Sequence, residues 1–232
     1  MYKQLKEACY EANMQLPKLD LVVYTFGNVS EVDREKGVFA IKPSGVPYEE
    51  LKVEDIVIVD FDAKVVDGKM RPSSDTKTHA FLYKNWESIG GICHTHSTYA
   101  VAWAQAIMDI PNFGTTHADH LTADIPCAPP MADHLIEGDY EYNTGQQILD
   151  CFDGKNLSPN EVEMVLVGSH GPFAWGKDAA KAVYNSKVLE EIAKMAYLTL
   201  QINPHAAKLK DALVKKHYER KHGKNAYYGQ GC

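Results

Sequence analysis

His94 and His96 close a short apolar stretch, Gly90-Gly91-Ile92-Cys93, and His170 follows a second one, Glu163-Met164-Val165-Leu166-Val167. Read as a strand, the first stretch puts its two histidines on one face, roughly 6–7 Å apart at the backbone. Two imidazoles so placed can converge on one ion, and His170 supplies a third from the end of another buried run. Three neutral imidazoles with one position left open are the usual ligand set of a catalytic zinc ion, a Lewis acid. Asp75, in Arg71-Pro72-Ser73-Ser74-Asp75-Thr76, is a helix cap, a fourth metal ligand or a proton-transfer group beside the metal.

Three small polar corners accompany these residues: Gly27-Asn28, Ser44-Gly45 and Ser73-Ser74. Each follows a predicted strand or precedes a predicted helix, where backbone N–H groups project and can bind phosphate. Plain turn chemistry explains any one of them equally well. Lys42, two residues before Ser44, adds a charge, although a lysine at a strand end is ordinarily solvated. By spacing alone Asp119, in Gly114-Thr115-Thr116-His117-Ala118-Asp119, reads as a solvated loop acid. Lys216-His217-Tyr218 and Ala226-Tyr227-Tyr228-Gly229 read as anchors of the tail onto the body or a neighbouring subunit. No GxGxxG, P-loop or GxSxG segment occurs, which disfavours dinucleotide, nucleoside triphosphate and acyl-serine chemistry.

The elements that must position these residues follow from periodicity. Leu5, Ala8, Cys9 and Ala12 predict an N-terminal helix ending before Pro17. Strands are predicted at Leu21–Phe26, Val38–Lys42, Ile56–Phe61 and Lys64–Val66, then a helix from about Thr76 to Trp86. After the histidine strand come a helix over Thr98–Met108, a strand over Leu121–Cys127 and a helix over Thr144–Phe152. Strands at Val162–Val167 and Phe173–Trp175 precede a long amphipathic helix from about Ala179 to Gln201. Neighbouring strands with helices between them predict an α/β three-layer sandwich, its central mixed and largely antiparallel sheet flanked by helices.

At 232 residues, 45% apolar and 24% charged, the chain suits one soluble domain spanning 1–232. A net charge of −7 argues against nucleic acid as a partner, while a small anion can still be bound by local amides and a metal. Five scattered cysteines without a CxxC pair suit reduced thiols, and the polar start reads as a helix rather than a signal peptide. No apolar run approaches the ~20 residues of a membrane span, so a cytoplasmic protein without a membrane partner is expected.

Taken together, the segments Phe26-Gly27-Asn28-Val29-Ser30, Ile41-Lys42-Pro43-Ser44-Gly45-Val46, Pro72-Ser73-Ser74-Asp75-Thr76, His94-Thr95-His96-Ser97, Gly114–Asp119, His170–Gly176 and Ala226–Gln230 resemble the class II aldolase/epimerase family nearly end to end. The Thr116-His117-Ala118-Asp119 segment and the Ala226-Tyr227-Tyr228-Gly229-Gln230 tail place the resemblance in its epimerase branch. The resemblance implies a divalent metal, Zn2+ with Mn2+ or Co2+ as substitutes, on Asp75, His94, His96 and His170. It implies a substrate phosphate among Gly27, Asn28, Lys42, Ser44, Gly45, Ser73 and Ser74, proton transfer by Asp119 and Tyr228, and His217 beside the substrate. It also implies a homotetramer with active sites between subunits, residues 205–232 reaching a neighbour. His120, which follows Asp119 where the family has an aromatic residue, is expected to perturb that acid.

The implied reaction interconverts L-ribulose 5-phosphate and D-xylulose 5-phosphate. C4 of a 2-ketopentose is β to the carbonyl, so its hydrogen is not acidified. Inversion there needs either oxidation or cleavage of the C3–C4 bond. A chain with a Lewis-acid site and no nicotinamide fingerprint fits cleavage and re-addition. The alternatives are a sugar-phosphate aldolase of the same family, which tends to carry Glu at position 75, and a non-catalytic domain like the adducin head, which lacks the metal set.

Overall fold

In the computed structural model, which describes residues 1–224, 226 and 227, helices α1 (Lys3–Asn13) and α2 (Gln15–Lys18) precede a run of four strands. These are β1 (Asn28–Asp33), β2 (Val38–Ile41), β3 (Val57–Asp60) and β4 (Val65–Asp67). Helix α3 (Thr76–Asn85) leads to β5 (Gly91–His94), followed by α4 (Thr98–Ala106), α5 (Thr115–Ala118) and β6 (Cys127–Ala128). After α6 (Asp133–Ile136) and α7 (Tyr140–Lys155) come β7 (Met164–Val167), β8 (Gly171–Gly176), α8 (Ala179–Ile202) and α9 (Asp211–His222).

The strands form one sheet ordered β4-β3-β2-β1-β5-β8-β7-β6, antiparallel except at β6–β7. The expected mixed, largely antiparallel sheet between helices is therefore what forms. Alternation sorts its side chains. Phe39, Ile41, Val57, Val59 and Ile92 join the large core that includes residues of α3 and α7. Val29 and Cys93 point the other way, toward Ala12 and Leu16 at the N-terminus and Ala179, Ala182 and Val183 of α8. Trp175 sits at the centre of the large core, its ring 4.8 Å from Trp86 and 5.3 Å from Phe152, with its indole N–H donating to the Pro159 carbonyl at 2.8 Å. Each such side chain contributes roughly 1.5–3 kcal/mol through burial.

Several expectations need correction. Leu21–Phe26 is not a strand: Tyr24 adopts φ +54°, the Phe26 amide closes a turn onto Val23, and Val23, Tyr24 and Phe26 stand exposed. The strand begins at Asn28 instead, because its inner face is polar (Asn28, Ser30) and carries no apolar run for a periodicity argument to find. The strand expected over Leu121–Cys127 contracts to Cys127–Ala128. The helix expected from Thr144 starts four residues earlier, at Tyr140, and a second short helix, α2, carries Pro17 after the N-terminal helix has ended at Asn13 as expected. The basic tail contains a 12-residue helix, α9. No helix among the described residues is long and apolar enough to cross a membrane.

Candidate metal centre and anion corner

His94 ends β5 at the middle of the sheet, opposite Asn28 of β1 on one side and Phe173 of β8 on the other. The Phe173 ring stacks on it at 4.2 Å and 19°. His96 follows in the connection to α4 rather than in the strand, and it is the most accessible of the three histidines. The first turn of α4, just beyond, is held from α8, whose Glu190 carboxylate accepts the Tyr99 and Ala100 amides at 2.9 Å each. His170 occupies the tight turn between β7 and β8, made possible by a left-handed Ser169 at φ +62°. One ligand atom from each of the three histidines lies within 4.8 Å of the others.

The donor chemistry suits a cation. The Nδ1–H of His94 donates to the Pro172 carbonyl at 2.9 Å, which leaves Nε2 as its lone-pair nitrogen. That Nε2 stands 3.1 Å from Nε2 of His96. Two nitrogens bound tetrahedrally to one zinc ion at its usual bond length are about 3.3 Å apart. Burial, and then the neighbouring His94, hold the pKa of His170 down to about 4, and burial also lowers that of His96. Both rings are thus neutral near pH 7, as a ligand must be.

Asp75 borders the same cavity but is not among the ligand atoms that cluster within 4.8 Å. Its Oδ2 accepts from the Asn28 amide at 2.6 Å. Burial works to raise its pKa, but His94, His79, the Asn28 bond and His170 outweigh that and lower it, so the carboxylate is ionised. As the residue before α3 it makes no side-chain cap bond, which removes the helix-cap alternative.

The three polar corners converge. Gly27, Asn28, Lys42, Ser44, Gly45, Ser73 and Ser74 line one cavity of about 380 Å³ with Asp75 and the three histidines. Two corners are zipped together: the Ser44 amide donates to Arg71, the Ser73 amide to Lys42, and Pro43 bridges Pro72. The Ser44 and Ser73 amides are thus already bonded, while the Ser44 and Ser74 side chains, Asn28 and Lys42 line the cavity. Contrary to the expectation of a solvated lysine, Lys42 is 2% exposed, its ammonium donating to the Val46 carbonyl at 2.7 Å and lying 4.7 Å from the Tyr48 ring. Burial lowers its pKa to about 8. Gly27 is required by its backbone: at φ +76°, a Cβ would stand 2.9 Å from the His94 carbonyl oxygen.

The cavity also takes in Thr25, Phe26, Tyr140 and Glu141, which the sequence reading missed. Tyr140 Oη lies 3.4 Å from Nδ1 of His170. Their signal was there, since both Tyr140 and Glu141 fall in the first turn of α7, but the predicted helix began too late to include them.

Asp119 and His217 come together, though not in this cavity. His217 Nδ1 lies 2.8 Å from Asp119 Oδ1, and Arg220 grips both carboxylate oxygens at 3.0 and 2.7 Å. Lys221 approaches Oδ2 at 3.4 Å, and His222 donates to the Asp119 carbonyl at 3.0 Å. Against burial, which acts to raise it, the Arg220 and His217 bonds and Lys221 bring the Asp119 pKa down to about 2. His120 makes no hydrogen bond to Asp119 and meets it only through charge: its ring bonds the Thr116 carbonyl at 2.8 Å and the Tyr184 hydroxyl at 2.9 Å. Tyr228 lies outside the described residues.

A three-layer α/β sandwich that gathers three histidines and a buried ammonium around one cavity defines a class: sandwiches with the donor set for a cation and a positive charge suited to an anion. The chain belongs to the family described as class II aldolase and adducin N-terminal domain, which matches residues 7–197. It is 52% identical over 228 residues to the L-ribulose-5-phosphate 4-epimerase UlaF of Salmonella typhi, covering 98% of this chain and 99% of that protein. The corresponding protein of Salmonella paratyphi C is 53% identical over the same span. Among solved structures, an L-fuculose 1-phosphate aldolase superposes with a TM-score of 0.78 at 26% identity, covering 94% of this chain and 95% of that one.

Proposed function

We propose that this chain is an L-ribulose-5-phosphate 4-epimerase, interconverting that sugar with D-xylulose 5-phosphate by cleaving and remaking the C3–C4 bond. The carrying observation is that His94, His96 and His170 open onto the same cavity as buried Lys42 and the serine corners. Relatives about half identical over nearly the whole chain bear that name.

A divalent cation, zinc in this reading, would be held by the three histidines with Asp75 beside it, and would supply Lewis-acid stabilisation of negative charge on the substrate oxygens. Lys42, Asn28, Ser44 and Ser74 hold the phosphate, anchoring the two-carbon end of the sugar. Loss of the C4 hydroxyl proton sends the C3–C4 electron pair onto the three-carbon fragment as an enediolate and leaves glycolaldehyde phosphate. The anchored aldehyde turns, and the enediolate adds to its other face. Proton transfer falls to Asp119 with His217, and to Tyr228.

Because Asp119 and His217 do not line the cavity of their own chain, we assign them to the site of a neighbouring copy in a homotetramer. Charge supports this. Residues 205–232 carry Lys208, Lys210, Lys215, Lys216, Arg220, Lys221 and Lys224 against Asp211 and Glu219, in a chain of net charge −7. We read residues 1–232 as one catalytic domain, working in the cytoplasm, where its four described cysteines, all free and buried, stay reduced.

The test is to incubate the zinc-loaded protein with L-ribulose 5-phosphate and follow D-xylulose 5-phosphate, with and without chelator. Chelator-sensitive formation is expected. Stoichiometric free dihydroxyacetone would instead make it an aldolase, and no turnover with no metal bound would favour an adducin-like binding domain.

A further inference from the structure

Strand β1 and helix α3 are joined by a ladder of matched steps. Four residues of helix advance about 6 Å and two residues of strand about 6.6 Å. Asp75 and His79 therefore fall beside Asn28 and Ser30. Asn28 donates to Asp75 at 2.6 Å, and the Ser30 hydroxyl lies 2.7 Å from His79 Nδ1 and 2.8 Å from the Tyr83 hydroxyl, one turn further on. Arg34 closes the far end, its guanidinium donating to the Tyr83, Trp86 and Ile89 carbonyls at 2.6–2.9 Å. Since Asn28 also stands opposite His94 in the sheet, β1 is the ruler that sets Asp75 against the histidine nest.

His79 is the costly part of this ladder. Its ring is fully buried, its Nε2 has no hydrogen-bond partner, and Ser30 is what orients it. An apolar side chain would pack there without stranding a ring nitrogen. Apolar contact is non-directional, however, whereas a hydroxyl between two rings fixes the helix in both rotation and register.

We propose that His79 is a positioning residue: with Ser30 and Tyr83 it holds the first turn of α3 so that Asp75 keeps its place beside the three histidines. This rests on the reading of the site given above. Ser73, just ahead of α3, is tied to the Lys42 corner through its amide, while its hydroxyl and carbonyl accept from the Asp75 amide and from the Thr76 amide and hydroxyl. Loosening the rung at Ser30 therefore acts first on Asp75, while the backbone bonds of Ser73 to Lys42 and of Ser44 to Arg71 keep the phosphate corner anchored.

Ser30→Thr and Ser30→Val have nearly equal volume and differ in the hydroxyl. Measured on the full protein are zinc affinity by chelator competition, kcat, KM for L-ribulose 5-phosphate and Tm. Ser30→Val is expected to lose about 10- to 100-fold in kcat and in zinc affinity, the usual range for a group that orients a metal site, with KM within about twofold. Ser30→Thr is expected to restore most of both. Equal behaviour of the two variants overturns the proposal, as does a fall in Tm with kcat and zinc affinity at wild-type values. Should branched side chains fail to pack, Ser30→Ala and Tyr83→Phe carry the test: losses in kcat and zinc affinity at constant KM support it, and wild-type values overturn it. Wild-type protein without zinc binding or turnover would instead remove the reading of the site itself.

Discussion

The ammonium of Lys42 lies 2.7 Å from the carbonyl oxygen of Val46, enclosed so fully that its pKa falls to about 8. Below that pH it is a desolvated cation on the wall of the cavity, where an anion gains most from it. As pH rises through 8 the free enzyme loses this charge. We expect kcat/KM to decline above about pH 8, mainly through KM. Lys42→Met is expected to raise KM about 10- to 100-fold, in line with a charged hydrogen bond, and to flatten that alkaline limb. A pH-rate profile of both proteins checks this.

His96 is exposed, so replacing it removes a candidate ligand without opening the core. His96→Ala is expected to keep its Tm within a few degrees when both proteins are measured metal-free, while losing bound zinc and at least about 100-fold in turnover. Metal content by elemental analysis, beside a melting curve, decides it. Full zinc occupancy in the variant would contradict the assignment.

Asp119 joins the 115–118 helix to α9 through Arg220, His217 and Lys221. Its pKa in the fold, about 2, lies below the ordinary 3.8. The stability it contributes is therefore present above pH 3.8 and is lost as pH falls toward 2. Asp119→Asn is expected to raise hydrogen exchange in α9 at neutral pH and to reduce kcat. Tyr228→Phe is expected to reduce kcat without that change in exchange. Unchanged turnover in Tyr228→Phe would remove it from proton transfer.

Gly27 combines a left-handed backbone with close packing against Val22 and the His94 carbonyl. Gly27→Ala is expected to destabilise by on the order of 1–3 kcal/mol and to weaken zinc binding by displacing the end of β5. Thermal melts and zinc titration test both effects. Gly45, also left-handed, has open space around its missing Cβ, so its alanine variant bears backbone strain alone and is expected to retain zinc affinity.

Much of this protein is written locally. The histidine spacing, the strands at Val38, Val57 and Met164, and the long helix from Ala179 all follow from short-range pattern, because alternation and helical period record which face is buried. The resemblance of its motifs also named most of the residues that line the cavity, though not Thr25, Phe26, Tyr140 or Glu141. What the pattern does not record is which element covers which face. Tertiary packing turned Leu21–Phe26 into a loop, shifted the strand onto the polar Asn28–Asp33, and buried a lysine that sequence alone leaves in water. It carried Asp119 to α9, about a hundred residues away in sequence, and away from the histidines of its own chain. A carboxylate's partners and a lysine's exposure are properties of surfaces that meet only after folding, so no window along the chain contains them.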